Sequence, residues 1–263
     1  MISVVIPVHN ERDEIRSCLD AFARQTCQRP FEILVVDNNC TDDTAEVVQA
    51  FADERPTLSV RVVRERQRGV AAASQAGFDA AQHGIIARTD ADTIVDAQWL
   101  AAIADGFRDE RVAALCGHVG FREPQPLQRW LQLERLIGLH QRTHIRLGKP
   151  HFWGFNFAVR REAFRRAGGF DTRLKLAEDL DLGLRIQAVL DRDERIAYAP
   201  AMRVASSSRR YRLNRDWLRY TLDGYRAYFA RAWLGRTPAW MRVEAAADPS
   251  GDARERLPTP GRD

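Results

Sequence analysis

The first 92 residues alternate between two patterns of hydrophobic positions. Three short runs are almost continuously apolar, as strands covered on both faces are, and they lie at residues 2–7, 31–37 and 84–89. The segments between them place apolar residues three or four positions apart, which predicts amphipathic helices. Residues 58–63 alternate and predict an edge strand. This order predicts an α/β fold with a mostly parallel sheet flanked by helices.

The hydrophobic pattern of the second half of the chain predicts fewer helices and strands. Residues 112–117 indicate a strand, and residues 127–147 an amphipathic helix that covers the core. The segment 151–157 is unusually aromatic, and we expect Trp153 at the surface, where its ring can stack on a sugar or on an apolar part of an acceptor. A further helix begins within residues 175–181.

The composition changes after residue 208. Residues 209–244 combine arginines with many aromatic residues and predict a helical extension. Such a surface suits either a membrane interface or a contact in a homodimer, and the sequence leaves both open. Residues 245–263 have no apolar period and are expected to be disordered.

Acidic residues stand where the predicted strands end. Asp37 closes the second apolar run, and Asp90 and Asp92 follow the third as an Asp-x-Asp pair. Alternate residues of an extended chain point the same way, so both carboxylates can face one hard cation such as Mg²⁺ or Mn²⁺. A solvated turn is the alternative explanation of an isolated Asp-x-Asp. Gly69 precedes a predicted helix, where backbone amides can meet an anion.

Six sequence motifs, taken in order, resemble those of family 2 glycosyltransferases. They are the segments Val4–Glu11, Val35–Asp37, Gly69–Ala73, Asp90–Asp92, Gly154–Arg160 and Glu178–Asp181. The resemblance implies a GT-A fold over residues 1–208, with a Rossmann-like nucleotide-binding half (1–92) and an acceptor half (93–208). It also implies transfer from a nucleotide-diphosphate sugar, UDP-sugar by default, with inversion. His9 departs from the family, which often has Tyr there.

The resemblance assigns donor-side roles to individual positions. Asp92, together with Asp90, would hold the divalent metal, and Asp90 is also a candidate for the ribose. Arg88 would approach the diphosphate, over which Arg209 and Arg210 would close. The positions expected around the nucleoside, ribose and phosphates are Pro7, Asn10, Glu11, Asp37 and Gly69.

The acceptor-side roles fall in the second half of the chain. Asp179 would be the general base, and Glu178 beside it would bind an acceptor hydroxyl. Asn156 lies in the acceptor-side loop that contains a glycine. Acids at a helix start also have a structural explanation, because they interact favourably with the helix dipole. The acceptor is expected to be a sugar, a lipid-linked molecule or a small molecule.

Composition and charge limit which binding partners and which cellular compartment we expect. The chain has 263 residues, 45% of them hydrophobic, and a net charge of +4. It shows no nucleic-acid recognition motif, so we expect no nucleic-acid partner. Four cysteines without a paired spacing favour a reducing compartment. With no signal peptide and no apolar run long enough for a membrane span, a cytoplasmic protein is expected, either free or peripheral on the inner face of the cell membrane.

Other functions fit the sequence less well. A nucleotidyltransferase of related fold would carry a glycine-rich basic loop, which is missing, and a non-catalytic sugar-nucleotide-binding protein would be expected to have lost an acid. The absence of a GxGxxG after the first strand disfavours an oxidoreductase. His140 and His144 share a helical face, but without HExxH they are expected to be packed or solvated. The processive Gln-x-x-Arg-Trp signature is also absent, which favours single additions.

Overall fold

The computed structural model describes residues 1–124, 132–207 and 215–242. Its strands are β1 Ile2–Val8, β2 Phe31–Asp37, β3 Ser59–Arg64, β4 Ile85–Arg88, β5 Thr93–Val95, β6 Val112–Phe121, β7 Phe157–Arg160 and β8 Arg195–Ser206. Its helices are α1 Arg12–Ala23, α2 Thr44–Glu54, α3 Val70–Ala80, α4 Trp99–Gly106, α5 Leu133–Arg146, α6 Arg161–Arg166, α7 Glu178–Ala188 and α8 Arg215–Ala232. Ala239–Met241 adds a short 3₁₀ turn.

The strands form one mixed sheet in the order β3-β2-β1-β4-β7-β6-β8-β5. The first four of these are mutually parallel, and β7 joins the two halves by pairing antiparallel with both β4 and β6. Farther along, β8 runs parallel to β6 and antiparallel to β5. The α/β class and the mostly parallel sheet predicted from the sequence are confirmed.

Hydrophobic residues fill both faces of the sheet. Phe22 of α1, Phe51 of α2 and Trp99 of α4 are fully buried in the cluster on one face. The other face holds Phe78 of α3 and Ile186 of α7, each at most 1% exposed. Burial on both faces explains why β1 and β2 are continuous apolar runs rather than alternating ones.

The second half departs from the sequence prediction in several places. β6 continues to Phe121, beyond the predicted end, while β8 and α4 were not predicted. The burial of β8 along residues 195–206 is irregular, so its sequence lacks a clear period of two. The described part of the predicted helix 127–147 is α5, and residues 125–131 lie outside the described residues, as does the predicted disordered tail.

The start of α1 is not where the local sequence pattern alone would put it. Asparagine is a common N-cap residue, and Asn10 with Asp13 three positions on fits an N-cap. The helix nevertheless begins at Arg12 with Glu11 as its N-cap, which makes no side-chain capping hydrogen bond among the described residues. Asn10 instead adopts φ 56°, and its Oδ1 accepts the Thr41 N–H at 2.8 Å. A local helix signal is thus replaced by a contact between the loops after β1 and β2.

The strand order brings the segments with candidate chemistry to one edge. β2, β1 and β4 are parallel neighbours, so their carboxyl ends lie side by side. β7 runs the other way, and its first residue, Phe157, pairs with Arg88 at the end of β4. The loop before β7 therefore meets the loop after β4. Ser206 at the end of β8 pairs with Thr93, which adds a further segment to this edge.

Close packing of α3 on the sheet depends on Gly77. A Cβ there would lie 2.3 Å from Val5 Cγ1 and 2.8 Å from Val36 Cγ2. Gly77→Ala should lower the free energy of unfolding by about 1 to 3 kcal/mol, because this overpacking exceeds the ~1 kcal/mol that alanine contributes to a helix. Urea denaturation measures the change. Gly84→Ala is the control, since among the described residues no atom beyond its chain neighbours lies within 4 Å of its Cβ position. Equal effects of the two variants would contradict the packing argument.

Candidate active site

A cavity of about 520 Å³ opens at this edge of the sheet. The segments that line it come from distant parts of the described chain. They are the loop after β1, the end of β4, the loop before β7, the start of α7 and one turn of α8. Its lining includes the charged residues Glu11, Arg88, Asp90, Asp92, Lys175, Glu178 and Asp179. The carboxylates singled out after β4 and those at the start of α7 therefore face a common space, although about 90 residues separate them in the sequence.

Arg88 is the central cation of the site. Its side chain is 2% exposed, and its Nη1 donates to Glu178 at 2.9 Å while Nη2 lies 3.4 Å from Asp90. Burial by itself would lower the pKa of Arg88, but the carboxylates of Glu178, Asp90 and Asp179 outweigh it and raise the pKa. Arg88 thus stays charged and links the two acidic groups. Its buried Nε has no hydrogen-bond partner among the described residues.

Asp179 is the candidate base of the site. Ala177 takes the left-handed conformation at φ 60° and starts α7 so that Glu178 and Asp179 lie in its first turn. The Leu180 N–H donates to Asp179 Oδ1 at 2.7 Å. Removal from water and the nearby Glu178 raise the pKa of Asp179 to about 7, against the opposing effect of Arg88. A carboxyl group with this pKa can both accept and release a proton near neutral pH.

Gly154 permits the approach of these charged groups. A Cβ at this position would lie 2.9 Å from Arg88 Nη2 and 3.1 Å from Asp179 Oδ2. The backbone of the loop before β7 therefore lies directly against the charged groups of Arg88 and Asp179. The sequence motif has a glycine here because a side chain would not fit.

Asp90 and Asp92 form the part of the site that fits a divalent cation. Both line the cavity, with Asp92 mostly buried and Asp90 more open, and the Ser207 N–H donates to the Asp92 carbonyl at 3.2 Å. In the described part of the chain, no group of three or more His, Cys, Asp and Glu residues is placed to hold a metal. Two carboxylates suit a hard cation that takes its other oxygen ligands from a bound diphosphate or water. The donor set therefore fits Mg²⁺ or Mn²⁺ bound together with a substrate.

The nucleoside-side residues predicted from the sequence divide into two groups. Pro7 and Glu11 line the cavity. The described lining does not include Asn10, Asp37 or Gly69, which lie beside it. The Asn10 side chain bonds to Thr41, and Asp37 Oδ1 accepts the Cys40 N–H at 2.9 Å.

Asn38 is a lining residue that the sequence analysis missed. It is 5% exposed, its Oδ1 accepts the Gly69 N–H at 2.8 Å, and its Nδ2 donates to the carbonyls of Glu65 and Gln67. Asn38 therefore ties the end of β2 to the loop before α3, where Gly69 has φ 132° and needs to be glycine. His9, the departure from the family pattern, also lines the cavity, and its Nδ1 lies 2.9 Å from the Asn38 carbonyl.

Asn156 does not face the cavity, contrary to the prediction from the sequence. It was expected in the acceptor site, but it is fully buried, and its amide is used within the protein. Oδ1 accepts the indole N–H of Trp99 at 2.9 Å, while Nδ2 donates to the carbonyls of His118 and Met202. A side chain with all these partners cannot reach a ligand, so Asn156 supports the loop before β7 instead.

Aromatic and imidazole rings form the wall next to α7. Trp153, expected at the surface, is half-buried in the lining and stacks on His151 at 5.1 Å between ring centroids. His151 also stacks on Tyr228 of α8 at 4.9 Å, and Tyr225 of α8 completes the lining. Burial and the neighbouring His140 lower the pKa of His151 to about 3, so this ring is neutral at physiological pH. The contribution of α8 was missed because only the tertiary structure brings it to the cavity.

The two other histidines of this region, which the sequence predicted to be either packed or solvated, are packed against other rings. His140 Nε2 lies 3.1 Å from His151 Nδ1, and the His144 ring lies 5.0 Å from that of Tyr228. Arg209 and Arg210, predicted near the diphosphate, lie outside the described residues.

Several known glycosyltransferases are similar to this chain. The model of the family "Glycosyl transferase family 2" matches residues 3–168. Glycosyltransferase AglE of Haloferax volcanii is 33% identical over 47% of this chain, which spans 40% of that protein. A PGL/p-HBAD biosynthesis glycosyltransferase of Mycobacterium bovis is 30% identical over 70% of this chain and 69% of its own. The structure of mannosyltransferase PcManGT from Pyrobaculum calidifontis in complex with GDP-Man and Mn²⁺ aligns with a TM-score of 0.70 and 25% identity, covering 90% of this chain and 65% of that one.

The raised pKa of Asp179 has a consequence for stability. A carboxyl group whose pKa is higher in the folded than in the unfolded protein binds more protons when folded, so stability falls as the pH rises between the two values. Asp179→Asn removes this charge. It should increase the free energy of unfolding at pH 8 by on the order of 1 to 3 kcal/mol, and the gain should shrink towards pH 4.

Urea denaturation of the variant and the wild type at both pH values measures this gain. Asp181→Asn on the same helix is the matched control, because Asp181 is paired with Arg185 at 2.7 Å and with Arg231. It should destabilise the protein. A loss of stability in Asp179→Asn at pH 8 would contradict the raised pKa.

Proposed function

Since the chain belongs to glycosyltransferase family 2, we propose that it moves a sugar from a nucleoside diphosphate to an acceptor hydroxyl with inversion. Asp92 and Asp90 would hold a divalent metal that assists the departure of the diphosphate, and Asp179 is the general base. The observation that carries the proposal is the shared cavity of Asp90, Asp92 and Asp179. This cavity contains two carboxylates suited to a divalent cation and, facing the same space, the Asp179 carboxyl group, whose pKa is raised to about 7.

The donor would lie along the ends of β1, β2 and β4. A bound Mg²⁺ or Mn²⁺, held by Asp92 and Asp90, would neutralise charge on the departing diphosphate. Arg88 provides a fixed positive charge beside this site. Its Nε has no partner in the described part of the chain, which supports a role towards the phosphates. Arg209 and Arg210 are proposed to close over the same group.

The nucleoside is proposed to occupy the space at Pro7 and Glu11. Asp37 would accept from a base N–H at its border. Asn10 would hold the adjoining loop through Thr41. Gly69 would bring the first turn of α3 close to the ribose or phosphate, because its backbone is fixed by Asn38. UDP-sugar is the default donor.

The acceptor would enter between Asp179 and the aromatic wall. Asp179 takes the proton of the acceptor hydroxyl as the oxygen forms a bond to the anomeric carbon, and the bond from that carbon to the diphosphate oxygen breaks. A single displacement inverts the configuration and requires no covalent nucleophile. Glu178 would bind an acceptor hydroxyl while it holds Arg88, and Trp153 offers a ring face for stacking.

A donor panel tests the function without knowledge of the acceptor. UDP-, GDP- and dTDP-sugars are incubated with the protein and Mn²⁺ or Mg²⁺, and release of the nucleotide by slow hydrolysis is followed. We expect one donor class to be hydrolysed, and only with metal. If no nucleotide were released from any of these sugars with either metal, the proposed transfer would be wrong.

The metal site has its own test in Asp92→Asn. An amide is a poorer ligand than a carboxylate for a hard cation. The variant should therefore bind the donor at least tenfold more weakly than the wild type in the presence of Mn²⁺, and about equally in the presence of a chelator. Titration calorimetry measures both affinities. Asp96→Asn, outside the described lining, is the control. Donor affinity independent of the chelator in the wild type would argue against metal assistance.

The pH dependence tests the base. Because Asp179 must be deprotonated, kcat/KM should rise about tenfold per pH unit below pH 7 and level off above it. Glu178→Gln removes the neighbouring charge that raises this pKa and should move the profile to lower pH, whereas Glu162→Gln on α6 should leave it in place. Asp179→Asn should lose roughly 10² to 10⁴ of the rate with donor binding retained. Near-normal transfer by Asp179→Asn would refute the assignment.

A further inference from the structure

Two neighbouring helices carry an exposed apolar surface beside the cavity. On α5 and just after it, Leu136, Leu139 and Leu147 are each more than half exposed. On α8 and just after it, Leu222, Phe229 and Trp233 are exposed to a similar extent. The spacing of each set corresponds to one side of a helix. Large apolar side chains concentrated in this way mark an interaction site rather than ordinary surface.

The two sets border the same seam. The His140 and His144 rings of α5 contact those of Tyr225 and Tyr228 of α8, with centroids 5.9 Å apart for the pair His140–Tyr225. Past the ends of both helices, Lys149 Nζ lies 6.0 Å from the centre of the Trp233 ring. We call these exposed residues on both sides of the seam the α5–α8 surface.

Positive charge surrounds this surface. Arg135, Arg142, Arg146 and Lys149 belong to α5 and the turn after it, where Glu134 is the only acid between residues 133 and 149. Glu134 is engaged by the Phe121 N–H at 3.1 Å. On α8 and just after it, Arg226 and Arg236 are exposed, and Asp223 is the only acid among the described residues 222–236. Asp223 lies 3.6 Å from Arg226.

We propose that the α5–α8 surface docks on an anionic phospholipid membrane. Leucine and aromatic side chains bordered by basic residues match the acyl boundary and the phosphate headgroups of such a membrane. In the described residues no helix is both long and apolar enough to cross a bilayer, and the docking proposed here is peripheral. A second copy is a poorer occupant, because a twofold contact would set one basic surface against its equivalent.

Docking would place the cavity next to the lipid. Tyr225 belongs to both features, since it is 47% exposed on the surface and also lines the cavity. Leu133 and Ile137 of α5 line the cavity as well. An amphiphilic acceptor could therefore reach the cavity from the membrane. This consequence rests on the proposed transferase function, whereas the docking itself does not.

Vesicle flotation of the full chain tests the docking. The wild type should float with vesicles of phosphatidylcholine and phosphatidylglycerol, much less with phosphatidylcholine alone, and less as salt increases. Phe229→Ser and Leu139→Ser should each weaken partitioning roughly tenfold. Arg146→Ala should weaken it about fivefold. Arg108→Ala, at an exposed position just after α4 and outside the α5–α8 surface, serves as a charge-matched control without effect.

Three outcomes would overturn the proposal. They are failure of the wild type to float with anionic vesicles, flotation unchanged by the substitutions, and a wild-type dimer that Phe229→Ser converts to monomers. The substituted side chains are exposed, and thermal unfolding verifies that each variant is folded. Brominated lipid should also quench wild-type tryptophan fluorescence, and Trp233→Phe should remove most of this quenching. Donor hydrolysis, measured separately without vesicles, keeps a failure of docking distinct from a failure of the transferase function.

Discussion

The buried ion cluster around Arg88 is the interaction on which the site depends. A guanidinium at the end of a central strand lies between Asp90 on its own loop and Glu178 at the start of α7. Each of these charges would be costly to bury alone, because removal from water disfavours an isolated ion. Together they fix the distance between the two halves of the cavity. Neutralising Arg88 would leave the carboxylates of Asp90 and Glu178 without their common cation. The Asp90–Asp92 pair would then lose its link to the segment that carries Asp179.

The direction of β7 determines which residues can join this cluster. Since β7 is antiparallel to β4, the loop before it lies against the loop after β4. Gly154 then contacts both Arg88 and Asp179, and the absence of a side chain there is a condition for the ion cluster. Asn156 holds the same loop from behind through Trp99. This loop, which the sequence resemblance connects with the acceptor, therefore also positions the charges of the site.

The C-terminal helix is part of the same arrangement. Arg231 of α8 pairs with Asp181, and Tyr228 packs against Leu180, so α8 holds the helix that starts with Glu178 and Asp179. The Tyr228 hydroxyl also donates to the Lys149 carbonyl at 2.8 Å, close to the loop before β7. A helix proposed to meet the membrane is therefore in direct contact with the elements that carry the candidate base, which offers a physical route from docking to the geometry of the site.

The sequence by itself determined the parallel half of the fold and the acids at its strand ends, because continuous apolar runs, helical periods and motif order are local properties. It also singled out Asp90, Asp92 and Asp179, which the structure brings to one cavity. It did not reveal β8, because the irregular burial of this strand leaves no alternation of apolar and polar residues in its sequence. Nor did it reveal that α8 contributes to the cavity lining. Only the tertiary structure decided that Asn156 is a buried support, that Asn10 bridges two loops, and that Arg88 links both sets of carboxylates. These outcomes depend on contacts between residues 31 to 90 positions apart, and no local pattern contains that information.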